Sequence, residues 1–379
     1  MNCGKKEIGA ITFHSPYNYG SVLQAYALQK FVIREFGNEF IYTIINLRTK
    51  RQKDFYCRPY GFYDFKNIAK KMIFFGHKRQ FLKRAEKFEL FIKDALNTTE
   101  EYSSAGELCK ANFDFEYFLS GSDQIWKYTI LDFDWSFFLE FCKKGKKISY
   151  AASFGPEPLE LDKITKTRLR KDLSEYRNIS VREIGSAEKI KQIMGKDIAE
   201  IHVDPTLLLD EKDWDEIIGA RIIRGDYIFL YDLKGNRNAY EIARKLSKAY
   251  NIPVVIVKEN AKMHILYRDF IKKYNAGPLE FLNYIKYAKI VVSSSFHGNA
   301  FSVIFEKPFL AVGGKEDFRI NNLLEMTGLI GRAVTTIDDI MPGKELFNVD
   351  FDFARWAIKK EQKRSRKYLA KALETGDKK

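Results

Sequence analysis

Cysteine is scarce in this chain, and the few cysteines are scattered. Four occur in 379 residues, and none forms a C-x-x-C pair. Widely spaced single cysteines argue against a cysteine-ligated zinc site and against a disulfide framework. We therefore predict no metal site, and a reducing cytoplasm as the compartment. The four are Cys3, Cys57, Cys109 and Cys142.

Long apolar runs are also missing. No stretch approaches the ~20 residues needed to cross a bilayer. The opening segment, MNCGKKEIGAITF, reaches charged residues before any sustained apolar run. Neither a transmembrane helix nor a secretory signal is expected. The sequence predicts a soluble protein, or one bound peripherally at a membrane surface.

Several catalytic and nucleotide-binding patterns are absent as well. The chain has no G-x-x-x-x-G-K-[S/T], no G-x-G-x-x-G, no H-E-x-x-H and no G-x-S-x-G. These absences argue against a P-loop NTPase, a dinucleotide-dependent oxidoreductase, a zincin-type metalloprotease and an α/β-hydrolase.

Positive charge is present in excess, and the excess is local. The 64 Lys and Arg residues against 50 Asp and Glu give a net charge of +14. Residues 66–84 hold seven cations and no acid, residues 355–379 hold ten cations and three acids, and the rest of the chain is balanced. Nucleic-acid binding requires a basic face with stacking aromatics, so no nucleic-acid partner is predicted. The two segments suit peripheral contact with an anionic membrane, or else form ordinary solvated helix faces.

Short strand-like runs alternate with helical patterns through most of the chain. This alternation is typical of βα units around a parallel sheet. Two series of strands are separated by Asp204–Asp210, where Pro205 interrupts the pattern, so we predict two α/β domains that meet there. The predicted strands are Ile8–Phe13, Phe40–Asn46, Phe115–Leu119, Lys147–Ala152, Asn178–Val181, Glu200–Val203, Tyr227–Tyr231, Pro253–Val257, Lys289–Ser293 and Pro308–Val312.

Three helices can be predicted from apolar periodicity. One covers Ser21–Phe36. A second has Phe81, Ala85, Phe88 and Ile92 along one face. The third runs from about Phe351 to Leu373, with Trp356 and Leu369 assigned to its apolar side.

The segment from Ser293 to Asn299 is a candidate anion site. It follows an apolar strand and precedes a helical run, so a helix N-terminus and small hydroxyl residues meet in one place. Such a terminus binds phosphate readily. His297 would contact the phosphate or exchange a proton near neutral pH. The alternative is a histidine that only caps the helix or bonds a carbonyl.

Three other loops follow predicted strands. Arg182 ends one strand, where a guanidinium can bind a carboxylate or phosphate, although an Arg182–Glu183 surface pair is the simpler interpretation. The loop from His14 to Ser21 suits a sugar, with a structural turn as the alternative. Asp123 offers a carboxylate that can take a proton from a hydroxyl, unless it serves as a helix cap.

Taken together, six segments resemble the polysaccharide pyruvyl transferase family. They occur in the family's order and run from about residue 8 to 312. The resemblance implies two Rossmann-like α/β domains in a GT-B-like arrangement with a cleft between them. It also implies transfer of pyruvate from phosphoenolpyruvate onto a sugar as a cyclic ketal. The segments are ITFHSPYNYGSVLQAYALQ, SGSDQIW, SYAASFG, SVREIGS, HVDPTLLL and GPLEFLNYIKYAKIVVSSSFHGNAFSVIFEKPF.

The resemblance assigns a function to each part of the chain. Residues 1–210 would form an N-terminal, acceptor-side domain with Arg182 at the cleft, and residues 211–350 a C-terminal, donor-side domain. Residues 351–379 would form a basic helix whose charge serves either packing back on the N-terminal domain or membrane contact. Phosphoenolpyruvate is a substrate here, so no cofactor and no metal are expected.

The resemblance also implies site residues. The family's donor-site arginine and histidine correspond to Arg182 and His297. Some members have a further arginine where this chain has Ser295, and Arg319 or Lys315 would replace it. We predict as catalytic His297, Arg182, Asp123 and His14; as donor-binding Arg182, Ser295, His297, Gly298, Asn299 and Arg319; and as acceptor-binding His14, Asn18, Tyr19, Gly20, Asp123 and Gln124.

Two other functions remain open at this stage. A GT-B glycosyltransferase using a nucleotide sugar would share the fold and the acceptor class. A non-catalytic basic module that binds membrane or nucleic acid would use only the charged segments. For the transferase, the acceptor would be a saccharide of a surface polysaccharide, on a lipid carrier at the inner face of the bacterial cytoplasmic membrane.

Overall fold

The structure is a computed structural model that describes residues 4–54, 68–130, 132–233, 235–257, 261–314, 316–340 and 343–375, with the backbone alone at 68–75, 261 and 344. The strands are β1 Lys6–Ile11, β2 Phe40–Leu47, β3 Thr98–Tyr102, β4 Tyr117–Ser120, β5 Lys146–Ser149, β6 Tyr176–Val181, β7 Ala199–Ile201, β8 Ile228–Tyr231, β9 Val254–Ile256, β10 Ile271–Lys272, β11 Ile290–Ser293, β12 Phe309–Val312 and β13 Ala333–Val334.

Helices lie between most of these strands. They are α1 Tyr19–Phe36, α2 Lys50–Gln52, α3 Ile68–Ala95, α4 Ala105–Lys110, α5 Lys163–Ser174, α6 Ile184–Met194, α7 Glu211–Ile218, α8 Arg237–Tyr250, α9 Ala261–Leu266, α10 Pro278–Lys286, α11 Phe296–Ile304, α12 Phe318–Met326 and α13 Asp352–Ala372. Short 3₁₀ turns cover Trp135–Phe138, Pro205–Leu208, Ile330–Arg332, Ile337–Asp339 and Lys344–Leu346.

The described strands form two parallel sheets. The first has the order β3-β2-β1-β4-β5-β6-β7, and the second has the order β10-β9-β8-β11-β12-β13. Every pairing is parallel. In both sheets the order reverses direction at a central pair of strands, and the carboxyl ends beside such a reversal are where α/β folds bind ligands.

Two compact units contain these sheets. The first comprises Met1–Cys57, Ile92–Leu208 and Lys359–Lys379, and the second comprises Arg58–Phe91 and Leu209–Ile358. The second unit therefore includes the described part of a segment, residues 68–91, that the sequence assigned to 1–210. Each unit has its own apolar core: Ile11, Trp126 and Val181 are completely buried in the first, and Ile228, Tyr240 and Val292 in the second.

All ten predicted strands correspond to strands of the structure. Their runs of apolar, β-branched residues are typical of parallel strands buried on both faces. The sequence missed β3, β10 and β13. The first of these is TTEEY at the edge of its sheet, where polar residues face water, and the other two are only two residues long. Short or polar edge strands carry too little apolar pattern to be recognised.

The C-terminal helix α13 packs its last turns on the first unit. The hydroxyl of Tyr368 donates to the carbonyl of Ser149 at 2.8 Å, and the amide of Gln362 donates to the carbonyl of Leu207 at 3.0 Å. Leu369 is fully buried, as predicted. Trp356, however, is 57% exposed, so its assignment to the apolar side is wrong. Thirteen residues of helix rotate by about 140° relative to Leu369, which places the two side chains on different faces.

His202 contacts this helix and makes its packing sensitive to acid. The ring is completely buried, with Nδ1 3.1 Å from the hydroxyl of Ser365 and its centroid 4.6 Å from that of the tilted Tyr368 ring. Burial, with a smaller contribution from Arg364, lowers the pKa of His202 from 6.5 to about 4, although Glu200 opposes the shift. The folded state therefore favours the neutral form of the His202 ring.

We predict that this group destabilises the fold as the pH falls from about 6.5 to about 4. Over that range His202 is protonated in the unfolded chain but stays neutral in the folded chain. The free energy of unfolding therefore falls by up to about 3 kcal/mol. Urea unfolding at several pH values should show a flatter acid limb for His202→Gln than for the wild type. His264→Gln, in the second unit, is the control for the loss of a histidine elsewhere in the chain. Equal slopes for wild type and His202→Gln would contradict the prediction.

The basic segment 66–84 lies only partly within the described residues. Phe81 is buried and stacks on Tyr274 with ring centroids 5.2 Å apart, and Arg84 is also buried. Leu82 is about half exposed. Phe81, a described apolar residue of this segment, therefore packs within the second unit. This agrees with the alternative of an ordinary helix that has one solvated face. Among the described residues, no helix is long and apolar enough to cross a membrane.

Candidate functional site

Strand register brings three distant segments together in the first unit. Beyond the ends of β4, β5 and β6, Asp123 bridges to Ala152, and Ala152 bridges to Val181. Arg182 follows Val181 directly, and its backbone N–H donates to the carbonyl of Ala152 at 3.1 Å. Residues 123 and 182, nearly sixty positions apart in sequence, therefore lie at the same carboxyl edge of the sheet.

Arg182 is surrounded by carboxylates. Its Nη1 donates to Asp204 at 2.8 Å and lies 3.6 Å from Asp123, and its Nε lies 3.4 Å from Glu183. The Arg182 side chain is 3% exposed. Burial disfavours its charge, but Asp204, Glu183 and Asp123 more than compensate, so that the pKa of the guanidinium lies above its ordinary value. Arg182 is thus a permanent cation whose neighbours carry a formal excess of negative charge.

Asp123 is held at this edge by its own hydrogen bonds. Its Oδ2 accepts from the hydroxyl of Ser21 at 2.7 Å, and its Oδ1 accepts from the backbone N–H of Gln124 at 2.9 Å. The backbone of Asp123 has φ +73°, in the left-handed region that Asp and Asn tolerate better than most residues. The side chain retains 11% exposure, so this carboxylate is the part of the cluster that solvent still reaches.

Glu183 and Ser186 serve a structural role next to Arg182. The carboxylate of Glu183 accepts from the hydroxyls of Ser153, at 2.6 Å, and Ser186. These hydroxyls in turn accept from the backbone N–H groups of Gly155 and Phe154 at 3.0 Å. The R-E-x-x-S pattern therefore ties the loop after β5 to the start of α6, and the alternative of an Arg182–Glu183 pair at the surface is wrong because both side chains are buried.

The predicted acceptor loop is more enclosed than its polar sequence suggests. His14 is buried, with Nε2 2.8 Å from Oδ1 of Asn46 and Nδ1 3.2 Å from the carbonyl of Thr12. Asn18 caps α1 by accepting from the N–H of Gly20 at 3.0 Å. Tyr19 is 1% exposed, so its ring is not available for stacking on a sugar.

The second unit presents its own set of side chains at the carboxyl ends of β8, β11 and β12. Ser293, the last residue of β11, pairs with Tyr231 of β8 and Ala311 of β12. The next residue after β8 is Asp232, which accepts from the hydroxyl of Ser294. Asp232 also accepts from the backbone N–H of Asn236 at 3.0 Å. The loops after β8 and β11 are therefore joined by a buried carboxylate.

Helix α11 begins at this edge. Ser295 is its N-cap residue, and the Ser295 side chain makes no capping hydrogen bond. His297 and Asn299 lie in the first turn and are buried. The amide of Asn299 donates to the carbonyl of Ser295 at 3.0 Å, whereas its buried Oδ1 has no hydrogen-bond partner. The N-terminus of a helix has the partial positive charge that attracts an anion. The Oδ1 of Asn299 is itself an acceptor and would need a hydrogen-bond donor.

Arg319 lies in the first turn of α12, just after β12. Its Nε and Nη2 donate to the two carboxylate oxygens of Asp317 at 3.0 and 2.6 Å. This bidentate pair fixes the guanidinium and partly neutralises it. Lys315, the other candidate for the missing cation, lies outside the described residues.

Asp204 and Asp232 are the residues that sequence reasoning missed. Asp204 is fully enclosed and is fixed by the N–H and hydroxyl of Thr206 at 3.0 and 2.8 Å. Each follows a predicted strand in a short polar turn, Asp204 within HVDPT and Asp232 within YD. A carboxylate directly after a buried parallel strand is the sequence feature that could have identified both residues.

Gly298 allows α11 to approach β11 closely. A Cβ built on Gly298 would lie 2.2 Å from Oγ of Ser293 and 3.0 Å from the ring of Tyr231. We predict that Gly298→Ala shifts the start of α11 and costs about 1–3 kcal/mol through overpacking. Thermal unfolding would measure the loss.

Gly185→Ala is the matched control for this substitution. Gly185 also lies in the first turn of a helix, and a Cβ there meets nothing within 4 Å. This control should be neutral or slightly stabilising, because alanine is the better helix former. If Gly298→Ala unfolds at the temperature of its control, the close approach is not a constraint.

Two of the four cysteines lie in the described part of the chain. Cys109 is exposed, Cys142 is half-buried, and both are free thiols. Burial raises the pKa of Cys142 to about 11. No group of three or more His, Cys, Asp or Glu side chains within the described ranges is arranged to hold a metal ion.

A family model for "Polysaccharide pyruvyl transferase" matches residues 18–316 of the chain. This range contains the clusters around Arg182 and around α11 described above. No curated protein sequence matches the chain.

Among solved structures, two UDP-GlcNAc 2-epimerases have a similar fold. UDP-GlcNAc 2-epimerase from Neisseria meningitidis, bound to UDP-GlcNAc, has a TM-score of 0.55 at 10% identity and covers 98% of this chain and 100% of its own. The epimerase from Methanocaldococcus jannaschii has a TM-score of 0.55 at 11% identity, with the same coverage. E. coli ADP-heptose lps heptosyltransferase II has 12% identity and a TM-score of 0.37, with 97% of this chain and 98% of its own covered. The likeness to the epimerases indicates a fold of the GT-B type.

Proposed function

The chain belongs to the polysaccharide pyruvyl transferase family, and from that membership we propose that it transfers pyruvate from phosphoenolpyruvate to a sugar. Two hydroxyls of one sugar, in a surface polysaccharide or its lipid-linked precursor, would take up the pyruvate as a cyclic ketal, and phosphate would be released. Phosphoenolpyruvate is consumed, and the reaction as written needs no cofactor.

The start of α11 is the observation that carries the donor site. Phosphoenolpyruvate has a phosphate and a carboxylate, and the positive end of a helix binds such anions without a metal. No side-chain cap from Ser295 satisfies this N-terminus, so its positive end suits an anion, whereas the unsatisfied Oδ1 of Asn299 is an acceptor and would need a donor. In the proposal, backbone N–H groups of this turn and the ring of His297 bind the phosphate. Arg319, oriented by Asp317, adds positive charge after the neighbouring strand.

In the first unit, the geometry supports Asp123 as the base. Its carboxylate is oriented by Ser21 and by the Gln124 N–H, and it faces Arg182, which keeps a cation beside it. His14 is less suited, because both of its ring nitrogens already face oxygens of Asn46 and Thr12. A direct clamp on the donor by Arg182 stays a prediction. Arg182 is held by Asp204 and lies 3.6 Å from Asp123. These contacts favour a role in which Arg182 orients Asp123.

The proposed steps balance in atoms and charge. A proton adds to the methylene carbon of phosphoenolpyruvate, which becomes a methyl group, and C2 becomes electrophilic. One sugar hydroxyl adds to C2 as Asp123 takes its proton. The C2–O bond to phosphate then breaks, and the second hydroxyl closes the ring. The sugar hydroxyls lose two protons. One replaces the proton that was added to the methylene carbon, and the other leaves with the phosphate.

The test is to incubate the protein with phosphoenolpyruvate and a panel of synthetic and lipid-linked glycosides. We expect release of inorganic phosphate only when an acceptor is present, together with a glycoside whose mass has increased by one pyruvate ketal. Release of a nucleoside diphosphate from a nucleotide sugar, with no turnover of phosphoenolpyruvate, would identify a glycosyltransferase instead and overturn the proposal.

A further inference from the structure

One exposed face of α13 combines aromatic rings with lysines. We call it the C-terminal stripe; it consists of Phe353, Trp356, Lys360, Lys363, Lys367 and Lys371. The spacings of three and four residues align these side chains along one side of the helix. All six are exposed, Phe353 by 55% and Trp356 by 57%. The stripe extends along about 27 Å of helix axis.

The opposite side of the helix accounts for its packing. Ala354, Ser365, Leu369 and Ala372 are buried. The buried contacts of α13 thus lie mainly on the side opposite the stripe.

The two aromatic residues form one apolar patch. Their ring centroids lie 5.4 Å apart, and Phe353 lies directly over Gly328, where a Cβ would come within 2.7 Å of the ring. Ile330, two residues beyond Gly328, is 43% exposed. Large apolar groups exposed together indicate an interaction site, and Trp beside Lys is the composition favoured at a membrane–water interface.

The charge of the stripe has one sign. Its four ionisable residues are all lysines, and the two acids of α13 have arginine partners: Asp352 pairs with Arg355, and Glu361 pairs with Arg364. Lys371 lies 3.8 Å from Glu200, itself half exposed. A row of lysines beside an aromatic pair matches a surface that has anionic headgroups above an apolar layer.

We propose that the C-terminal stripe binds the protein to an anionic membrane surface. The stripe is a row of side chains along one helix, whereas single-stranded nucleic acid is bound in a groove. Phe353 and Trp356 enter the headgroup layer at one end, and the lysines contact the lipid phosphates along the rest. The proposal does not depend on the reaction that the protein catalyses.

Vesicle sedimentation tests it with the full-length protein. We expect binding to mixed phosphatidylcholine–phosphatidylglycerol vesicles, weakened by salt, and little binding to phosphatidylcholine alone. The triple variant Lys360→Gln, Lys363→Gln, Lys367→Gln should bind about 100-fold more weakly, since each lysine near an anionic surface contributes about a factor of five. The double variant Phe353→Ser, Trp356→Ser should lose about tenfold or more.

A matched triple variant controls for net charge. Lys110→Gln, Lys191→Gln and Lys196→Gln remove the same charge from other exposed positions of the chain, and this variant should bind as the wild type does. Unchanged melting temperatures would show that the stripe variants are folded, as expected for exposed side chains.

Four outcomes would overturn the proposal. Equal binding to neutral and anionic vesicles would do so, as would equal weakening by the control and the stripe triple variants. A wild-type oligomer that the Phe353→Ser, Trp356→Ser variant converts to a monomer would assign the face to a second copy of the chain. Nucleic-acid binding that only the stripe variants abolish would assign it to that partner.

Discussion

Asp123→Asn is expected to lower kcat for ketal formation by about 10²- to 10⁴-fold, the range in which loss of a general base falls. Asparagine keeps the size of the side chain, tolerates φ +73° and can still accept one hydrogen bond through its oxygen. It removes the basicity together with the negative charge beside Arg182 and one of the two acceptor oxygens. The KM for phosphoenolpyruvate should change little. Steady-state phosphate release at saturating donor and acceptor measures the effect.

Two further variants test whether Asp123, rather than His14, is the base. Ser21→Ala removes the hydroxyl that orients Asp123 and should lower kcat by a smaller factor than Asp123→Asn. His14→Gln should affect folding more than proton transfer, since the ring is enclosed between Asn46 and Thr12. If Asp123→Asn turns over within a few-fold of the wild type while His14→Gln is inactive, the base has been misassigned.

The second large effect is on stability. Arg182→Met should cost about 3–5 kcal/mol, because it leaves buried carboxylates without their cation. In a unit of this size, that loss corresponds to a fall in Tm of about 10 °C. Differential scanning calorimetry would detect it, and the transition of the first unit should be the one that moves. Methionine fills much of the same volume, so the loss of charge dominates over the loss of packing.

A second substitution distinguishes charge from packing. Asp204 approaches Arg182 at 2.8 Å and is completely enclosed. Adding Asp204→Asn to Arg182→Met should therefore restore part of the lost stability, whereas Asp204→Asn alone should destabilise. Additive losses in the double variant would mean that the two groups are not coupled.

Local pattern explains why so much of the fold follows from the sequence. Parallel strands buried on both faces need continuous runs of Val, Ile, Leu and aromatic residues, and those runs are visible without a structure. The start of α11 is equally local, since strand, hydroxyl turn and helix follow one another from Ile290 to Ile304. The edge strand β3 lacks an apolar run and was missed for that reason.

The candidate site could be predicted only as separate pieces. The sequence singled out Arg182 and Asp123 individually, because each follows a strand. It gave no indication that Asp204 would pair with Arg182, or that the ring of Tyr19 would be enclosed. Partners separated by many residues are chosen by sheet order and register, which no local window contains.

By itself, the sequence determined the α/β class, the two series of strands, the family and the confinement of the excess charge to residues 66–84 and 355–379. These properties depend on composition, periodicity and the order of motifs, all of which are local. Only the tertiary structure decided that residues 68–91 join the second unit, that Arg182 is surrounded by carboxylates and that Trp356 is exposed on the same helix face as four lysines. Burial and ion pairing arise from long-range packing, so they are properties of the folded chain.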